Sequence, residues 1–328
     1  MTFPLAHETW FLDDPEDYEW SFLTEGTTLA LLGGAVALTL LVRLVNRYRD
    51  GVDVGWLGAV APYIPFALRL HLAVSLVGLL SLGYYLSPAM DLQTDVAGIA
   101  LGAVMAVVAI GMATGYRARQ AAWLLIAAGP LGMLEFGVDP VLQRVDLLGL
   151  AAFIVIAGPG RWSADAERGA EADHFLTSAR LDEHGLEIMA RAIFALRIAA
   201  GSALIIVALY EKLINPQLAL DFLAEHPDLQ LAHQLDLPLS DIEFVRFAGA
   251  IEVLFGLLLI SGALPQAIVL IAGVPFNATL WFFGINELVG HLPIYGAMLA
   301  ILAFGSHPQL RATVYGWGRA PATAPRTQ

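Results

Sequence analysis

The chain has 328 residues, 58% of them hydrophobic and 14% charged, with a formal net charge of −13 and no cysteine. Soluble domains carry about 25% charged residues, so this composition excludes an ordinary soluble domain, and the acidic balance gives no support to nucleic-acid binding. The missing cysteine excludes disulfides, Fe–S clusters held by thiolates, and thiolate catalysis.

Residues 1–25 form an acidic tail with Asp13, Asp14, Glu16, Asp17 and Glu19, and the first 22 residues hold no Lys or Arg. A secretory signal needs a positive start, so the segment reads as a mature tail. Nine apolar runs of about bilayer-spanning length follow: 26–44, 64–87, 95–115, 120–138, 144–159, 192–213, 242–262, 265–284 and 287–305. The expected fold class is an all-α integral membrane protein with about nine transmembrane helices. Between the runs, basic residues gather on one side: Arg43, Arg47, Arg49, Arg117, Arg119, Arg161, Arg168, Arg180, Arg191, Arg311, Arg319 and Arg326. Cytoplasmic loops collect Lys and Arg, which places the N-terminus outside and the C-terminus inside the plasma membrane. Only Arg144, Lys212 and Arg246 fall on the other, acidic side.

The sequence also repeats itself. FALRLHLAVSLVGLLSLGYYLSP (66–88) matches FALRIAAGSALIIVALYEKLINP (194–216) at both ends, and FGVDPVLQRVDLLG (136–149) matches FGINELVGHLPIYG (283–296). Between them, 97–111 lies against 248–262. Two parallel four-helix-bundle repeats are expected, 64–159 and 192–305, after one N-terminal transmembrane helix at 26–44. The cytoplasmic connector, 160–191, is polar and reads as helical from Ala179 onward; 306–328 is a cytoplasmic tail. Residues 217–240 mix Leu with acids and read either as an amphipathic element at the outer interface or as a loop on the bundle mouth. The GxxxG spacings Gly98/Gly102 and Gly111/Gly115 suit close helix packing.

An ionisable group at membrane depth costs roughly 2.5–3.5 kcal/mol on insertion scales, so it usually has a partner or a task. Here the two halves part. The first has Gly83, Tyr84, Leu101, Pro140 and Arg144 where the second has Glu211, Lys212, Glu252, Glu287 and His291. Lys212 is the only lysine. Topology puts all five in the outer half of the second unit, with Glu252 roughly 15 Å deep. Glu287 and His291 share a helix face at i and i+4, on a helix that Pro293 is expected to kink.

Three uses compete for this cluster. One is a salt-bridge network, with Lys212 pairing Glu211, Glu252 or Glu287, that keeps four helices in register. The second is a binding pocket for a small polar molecule or a quinone head group, with His291 and Glu252 handling protons and Glu211, Lys212, Glu287 and Asn277 lining it. The third is a metal site with Glu211, Glu252, Glu287 and His291 as ligands, although di-iron bundles use a Glu-x-x-His spacing that ELVGH lacks. The leading expectation holds no metal. Elsewhere, His71 reads as a satisfied core histidine, since no second histidine at matching depth supports a bis-histidine haem. Arg69 and Arg197 occupy the same place in both halves and are expected to snorkel towards cytoplasmic water, with anionic lipid as the other use. Glu135 and Asn277 are single polar residues, each expected to bond a neighbouring helix.

Residues 192–305 resemble the DoxX/DoxD family of four-helix membrane proteins. The likeness lies in Arg197, Gly201, Glu211 to Leu213 with Pro216, Glu252, Gly256, Gly262 and the ELVGHLPIYG segment. The first half joins it only through the internal repeat. Some members of that family are similar to a subunit of a membrane thiosulfate:quinone oxidoreductase, and others accompany redox or oxidative-stress proteins. The resemblance thus implies a redox-associated subunit, a quinone as guest, membrane lipids as neighbours and a redox partner protein. It transfers no catalytic residue. The rival expectations are a non-catalytic scaffold or assembly protein and, third, a small-solute transporter.

Overall fold

The computed structural model describes residues 18–46, 52–167, 181–283 and 285–316; within its helices the side chains at 231, 279 and 281–287 lie outside the description. Most of the acidic tail, including Asp13, Asp14, Glu16 and Asp17, falls outside the described residues, as do Arg47, Arg49, Arg168, Arg180, Arg319 and Arg326.

A short α1 (Trp20–Thr24) leads into α2 (Gly26–Val45). A 3-10 segment, Gly55–Tyr63, feeds α3 (Ile64–Ser81), which starts with Pro65 in its first turn, where a missing N–H costs nothing. Then come α4 (Val96–Thr114), α5 (Ala118–Phe136), α6 (Val138–Leu142), α7 (Val145–Ala157) and α8 (Ala164–Glu167). After the connector, α9 (Glu183–Ala208) ends in a π-helical turn, Leu209–Leu213. The segment that follows holds α10 (Pro216–Glu225), a 3-10 turn at Pro227–Leu229 and α11 (Leu231–Gln234). The chain closes with α12 (Asp241–Ser261), α13 (Pro265–Phe283), α14 (Ile285–Ser306) and α15 (Arg311–Val314).

The helix ends follow from local chemistry. Asp95 accepts from the Gly98 N–H at 2.8 Å and Asp182 from the Gly185 N–H at 2.7 Å, each satisfying an N–H that the first helical turn leaves over. That cap starts α9 well before the apolar run at 192, within the expected connector. Ser240 and Glu243 form a capping box on α12. Both α4 and α12 stop at a left-handed glycine, Gly115 (φ 66°) and Gly262 (φ 67°), and two residues later Arg117 and Leu264 share φ 49°. Left-handed glycine is a common helix terminator.

Among the described residues, six helical stretches are long and apolar enough to cross a membrane: Gly26–Val45, Gly55–Ser81, Val96–Thr114, Glu183–Leu213, Asp241–Ser261 and Leu288–Ser306. Val145–Ala157 and Pro265–Ala278 are shorter apolar helices. By length and composition this is a multi-pass α-helical membrane protein.

Packing sorts the helices into two rings. In the first, α3 packs on α4, α4 on α5, α5 on α7 and α7 back on α3. In the second, α9 packs on α12, α12 on α13, α13 on α14 and α14 back on α9. The rings join through α7 against α9 and α3 against α14, and one apolar core runs through both. Close approach is built in at two glycines. A Cβ on Gly149 of α7 would lie 2.5 Å from Ala199 Cβ of α9, and one on Gly296 of α14 would lie 3.2 Å from Leu68 and His71 of α3.

The N-terminal helix α2 stands outside both rings, against α12. Its buried side is a thin stripe of Thr28, Ala35 and Thr39. At its start Arg246 pairs with Glu25 and covers the Phe22 ring at 4.4 Å. At its end Arg43 donates to the carbonyls of Gly262 at 3.2 Å and Tyr315 at 3.0 Å. The segment between α9 and α12 is amphipathic at α10, which buries Leu218, Ala219, Phe222 and Leu223 and exposes Gln217 and Asp221.

Candidate functional site

The two repeated arginines do not snorkel. Both are fully buried, at 0% exposure. Arg69 of α3 donates to the carbonyls of Pro159 (2.7 Å), Met112 (2.7 Å) and Trp162 (2.9 Å). Arg197 of α9 donates to those of Val314 and Gly316, the latter at 2.6 Å, and reaches Ile260 at 3.5 Å. Each guanidinium therefore ties the last turn of one neighbouring helix to the segment that follows another. Helix C-termini leave carbonyls without partners and carry the negative end of the helix dipole, so a five-donor cation suits the position better than water or lipid would. The fit is tight: a Cβ on Gly115 would sit 2.7 Å from Arg69 Nη1, and one on Gly262 2.7 Å from Arg197 Nη1. This contact overturns both the snorkelling and the lipid-binding expectations.

At the opposite end of the second ring lie Lys212 and Glu252, two of the five residues of the expected cluster. The π-helical turn carries Glu211 and Lys212 together into the protein, Glu211 at 0% and Lys212 at 8% exposure. Such turns insert an extra residue and recur at functional sites. Lys212 Nζ lies 3.4 Å from Glu252 Oε1 of α12. Glu252 shares the stripe of Phe255 and Leu259 at i, i+3 and i+7, both of which belong to the core surface. Its side chain remains one-third exposed, so the ion pair can be reached from outside the protein.

The other residues are placed less alike. His291 is buried on α14 and meets Phe276 of α13 edge-on at 5.1 Å. Tyr295, one turn further, donates to the Phe276 carbonyl at 3.0 Å. Asn277 is exposed and donates to the Gly273 carbonyl of its own helix at 2.6 Å, and among the described residues it shows no bond to a neighbouring helix. Glu135 is exposed. Glu287 lies on α14, and its side chain is outside the described residues. Among the described residues no three His, Cys, Asp or Glu side chains form a group able to hold a metal ion. Glu211, Glu252 and His291 make no such group among them, and Glu287, the fourth residue of that expectation, lies outside the described side chains. His71 bonds the Ala67 carbonyl at 2.7 Å, as a satisfied core histidine does.

Sequence reasoning missed a second buried polar group. Arg144 and Asp146, at the start of α7, are 3% and 7% exposed and stand 3.5 Å apart. Arg144 Nη1 donates to the Gly290 carbonyl of α14 at 3.1 Å, and Ser75 Oγ of α3 donates to the Val289 carbonyl at 3.0 Å. The available signal was that Arg144 is one of three basic residues on the acidic side. The ring-to-ring contact that gives it a partner leaves no trace in a linear pattern.

Searches against protein-family models, curated proteins and solved structures find no match to this chain.

Proposed function

We propose that the chain is a redox-associated plasma-membrane subunit whose second helix ring binds a quinone head group or a small oxidisable solute beside Lys212 and Glu252. The reading takes α2, α3, α4, α5, α7, α9, α12, α13 and α14 as nine crossings. They make one N-terminal helix and two parallel four-helix repeats, with the N-terminus outside. Several facts support the duplication. The ring order is the same twice. Arg69 and Arg197 both close the ends of matching helices. One constant interval carries Gly115 to Gly262, Arg117 to Leu264, α5 to α13 and Gly149 to Gly296. At that interval Glu252 corresponds to Met105, one turn from the Leu101 that end-matching of the middle block suggests. The likeness to the DoxX/DoxD family belongs to the same reading and brings with it a redox partner that supplies electrons.

The observation that carries the site is the Lys212–Glu252 pair, reachable yet set in a membrane-type bundle. A quinone carbonyl accepts from an ammonium and a quinol hydroxyl donates to a carboxylate, so the pair matches both redox forms. His291 is the group suited to exchange the proton. The test is binding of a short-chain quinone to detergent-purified protein. A charge-assisted hydrogen bond contributes about 1.5–3 kcal/mol, so Glu252→Gln and Lys212→Met should each weaken binding by about tenfold or more. No binding to the wild-type chain, or equal binding to both variants, ends this assignment.

A structural scaffold is the second reading, favoured by one observation: Arg69 and Arg197 spend buried charge on main-chain carbonyls. If Lys212 is used alike, the two variants lose thermal stability or partner recovery without touching small-molecule binding.

A further inference from the structure

Pro293 lies inside α14, and its ring nitrogen has no hydrogen to give. The Val289 carbonyl, four residues before it, therefore lacks its usual donor within the helix. That oxygen is the one that Ser75 reaches from α3, at 3.0 Å. The next carbonyl, Gly290, is the one that Arg144 reaches from the start of α7, at 3.1 Å. In hydrocarbon an unserved carbonyl costs several kcal/mol, and a broken membrane helix persists where neighbours serve it. The approach is close, since a Cβ on Gly78 would lie 2.5 Å from Val289 Cγ1. Both donors come from the first ring, and both act at the turn that leads directly into His291.

We infer that Ser75 and Arg144 are positioning residues. The first ring grips the proline-weakened turn of α14 at 289–290, and through it aims the His291 ring at the site of the second ring. The first ring is then more than a bracing copy, since it fixes the turn that carries His291 against Phe276. The importance of His291 to binding rests on the function proposed above; the grip on α14 does not. Without these donors the turn opens about Pro293 to find other partners, and His291 leaves the face of Phe276.

Two measurements test this. The first is a cycle of Ser75→Ala and Pro293→Ala read by thermal unfolding in detergent. The Pro293→Ala substitution returns the N–H that Val289 lacks. Ser75→Ala should therefore lower the unfolding temperature by several degrees in the Pro293 chain, and by less than half as much in the Pro293→Ala chain. Equal shifts in both overturn the inference.

The second is carbethoxylation of His291, followed by mass spectrometry of the intact membrane-purified chain. Arg144→Met should speed the reaction at His291 by roughly threefold or more, a modest shift towards the open turn, with the exposed His184 at the start of α9 unchanged as the internal control. Arg144→Lys, which keeps a donor, should restore protection. A folded Arg144→Met chain with His291 still protected overturns the inference; if that variant does not fold, Ser75→Ala serves for the same readout. Quinone binding separates the two ideas. Equal binding to wild type and to an Arg144→Met chain whose His291 has lost protection removes His291 from the binding site and leaves both the grip on α14 and the Lys212–Glu252 site. A chain that binds no quinone yet couples Ser75 to Pro293 sinks that site and leaves the positioning of His291 standing.

Discussion

The first ring, α3 to α7, and the second, α9 with α12 to α14, each bury one arginine among the carbonyls at the end of a neighbouring helix. Each also has a left-handed glycine beside that arginine and a small residue where its last helix meets the other ring. At the opposite end they part. The first ring has Gly83 and Tyr84 after α3, while the second has buried Glu211 and the Lys212–Glu252 pair. The shared devices all act on the main chain, which every helix end presents whatever its sequence. The differing groups act through side chains at one end of the second ring, where Glu252 alone stays one-third exposed. A scaffold that closes itself through its backbone leaves its outer side chains open to change, and among the described residues the second ring is the one that carries a reachable charged pair there.

The largest expected effect tests whether the two arginines are equivalent. Arg69→Met strands the carbonyls of Met112, Pro159 and Trp162, and Arg197→Met strands those of Val314 and Gly316. Removing one partner of a buried charged contact costs about 3–5 kcal/mol, so both variants should lose most of their folded yield in detergent. Arg→Lys at either place should recover less than half, because an ammonium lacks the planar fork. A loss at one position only would mean that the rings are not held alike.

A smaller effect lies at the joint between rings. A Cβ on Gly149 meets Ala199 Cβ at 2.5 Å, whereas one on Gly296 meets side-chain atoms of His71 and Leu68 at 3.2 Å. Ala199 cannot move without its helix; His71 and Leu68 can turn. Gly149→Ala should therefore cost about 1–3 kcal/mol and Gly296→Ala less than about 1 kcal/mol, read as unfolding midpoints. The reverse order would mean that α14, not α7, is the rigid side of the joint.

The Lys212–Glu252 pair comes next. Lys212 is nearly buried and Glu252 one-third exposed, so the pair is partly desolvated. Its worth lies between the about 0–1 kcal/mol of an exposed pair and the about 3–5 kcal/mol lost on breaking a buried one, and Lys212→Met should cost about 1–2 kcal/mol in stability. A small stability loss with a large loss of quinone binding marks a site; the opposite pattern marks a brace.

Helix positions were largely readable from the chain, because apolar length and caps such as Asp95 and Ser240 are local. The pairing of Lys212 with the second unit's acids was readable too, since the halves differ there. The task of Arg69 and Arg197 was not. Their repetition is plain, but their partners are carbonyls, which every residue owns and no sequence marks, and only the glycines at 115 and 262 hint at the close contact. Arg144 was hidden for a related reason. It serves Gly290 across the joint between rings, and that joint is a product of packing, not of spacing. Asn277 misled because an apolar setting suggests a partner on another helix, while the nearest acceptor was one turn back on its own.

The smallest expected effect again separates the two rings. Just past α14 stands His307, where the constant interval gives Gly160 in the first ring. Burial lowers its pKa below the ordinary 6.5, and its Nδ1 accepts from the Gln309 N–H at 3.3 Å. The folded chain thus holds this ring neutral where the unfolded chain already takes a proton. Its contribution is complete above pH 6.5 and is lost as pH falls from 6.5 through the lower folded value. Stability should decline with acid over that window, and His307→Gln, which cannot titrate, should remove that share of the slope. Unfolding midpoints of the two chains between neutral and mildly acidic pH provide the check. Parallel curves would assign the acid sensitivity elsewhere, and a steeper curve for His307→Gln would mean that the ring is charged in the folded protein and held by a partner at the end of α14.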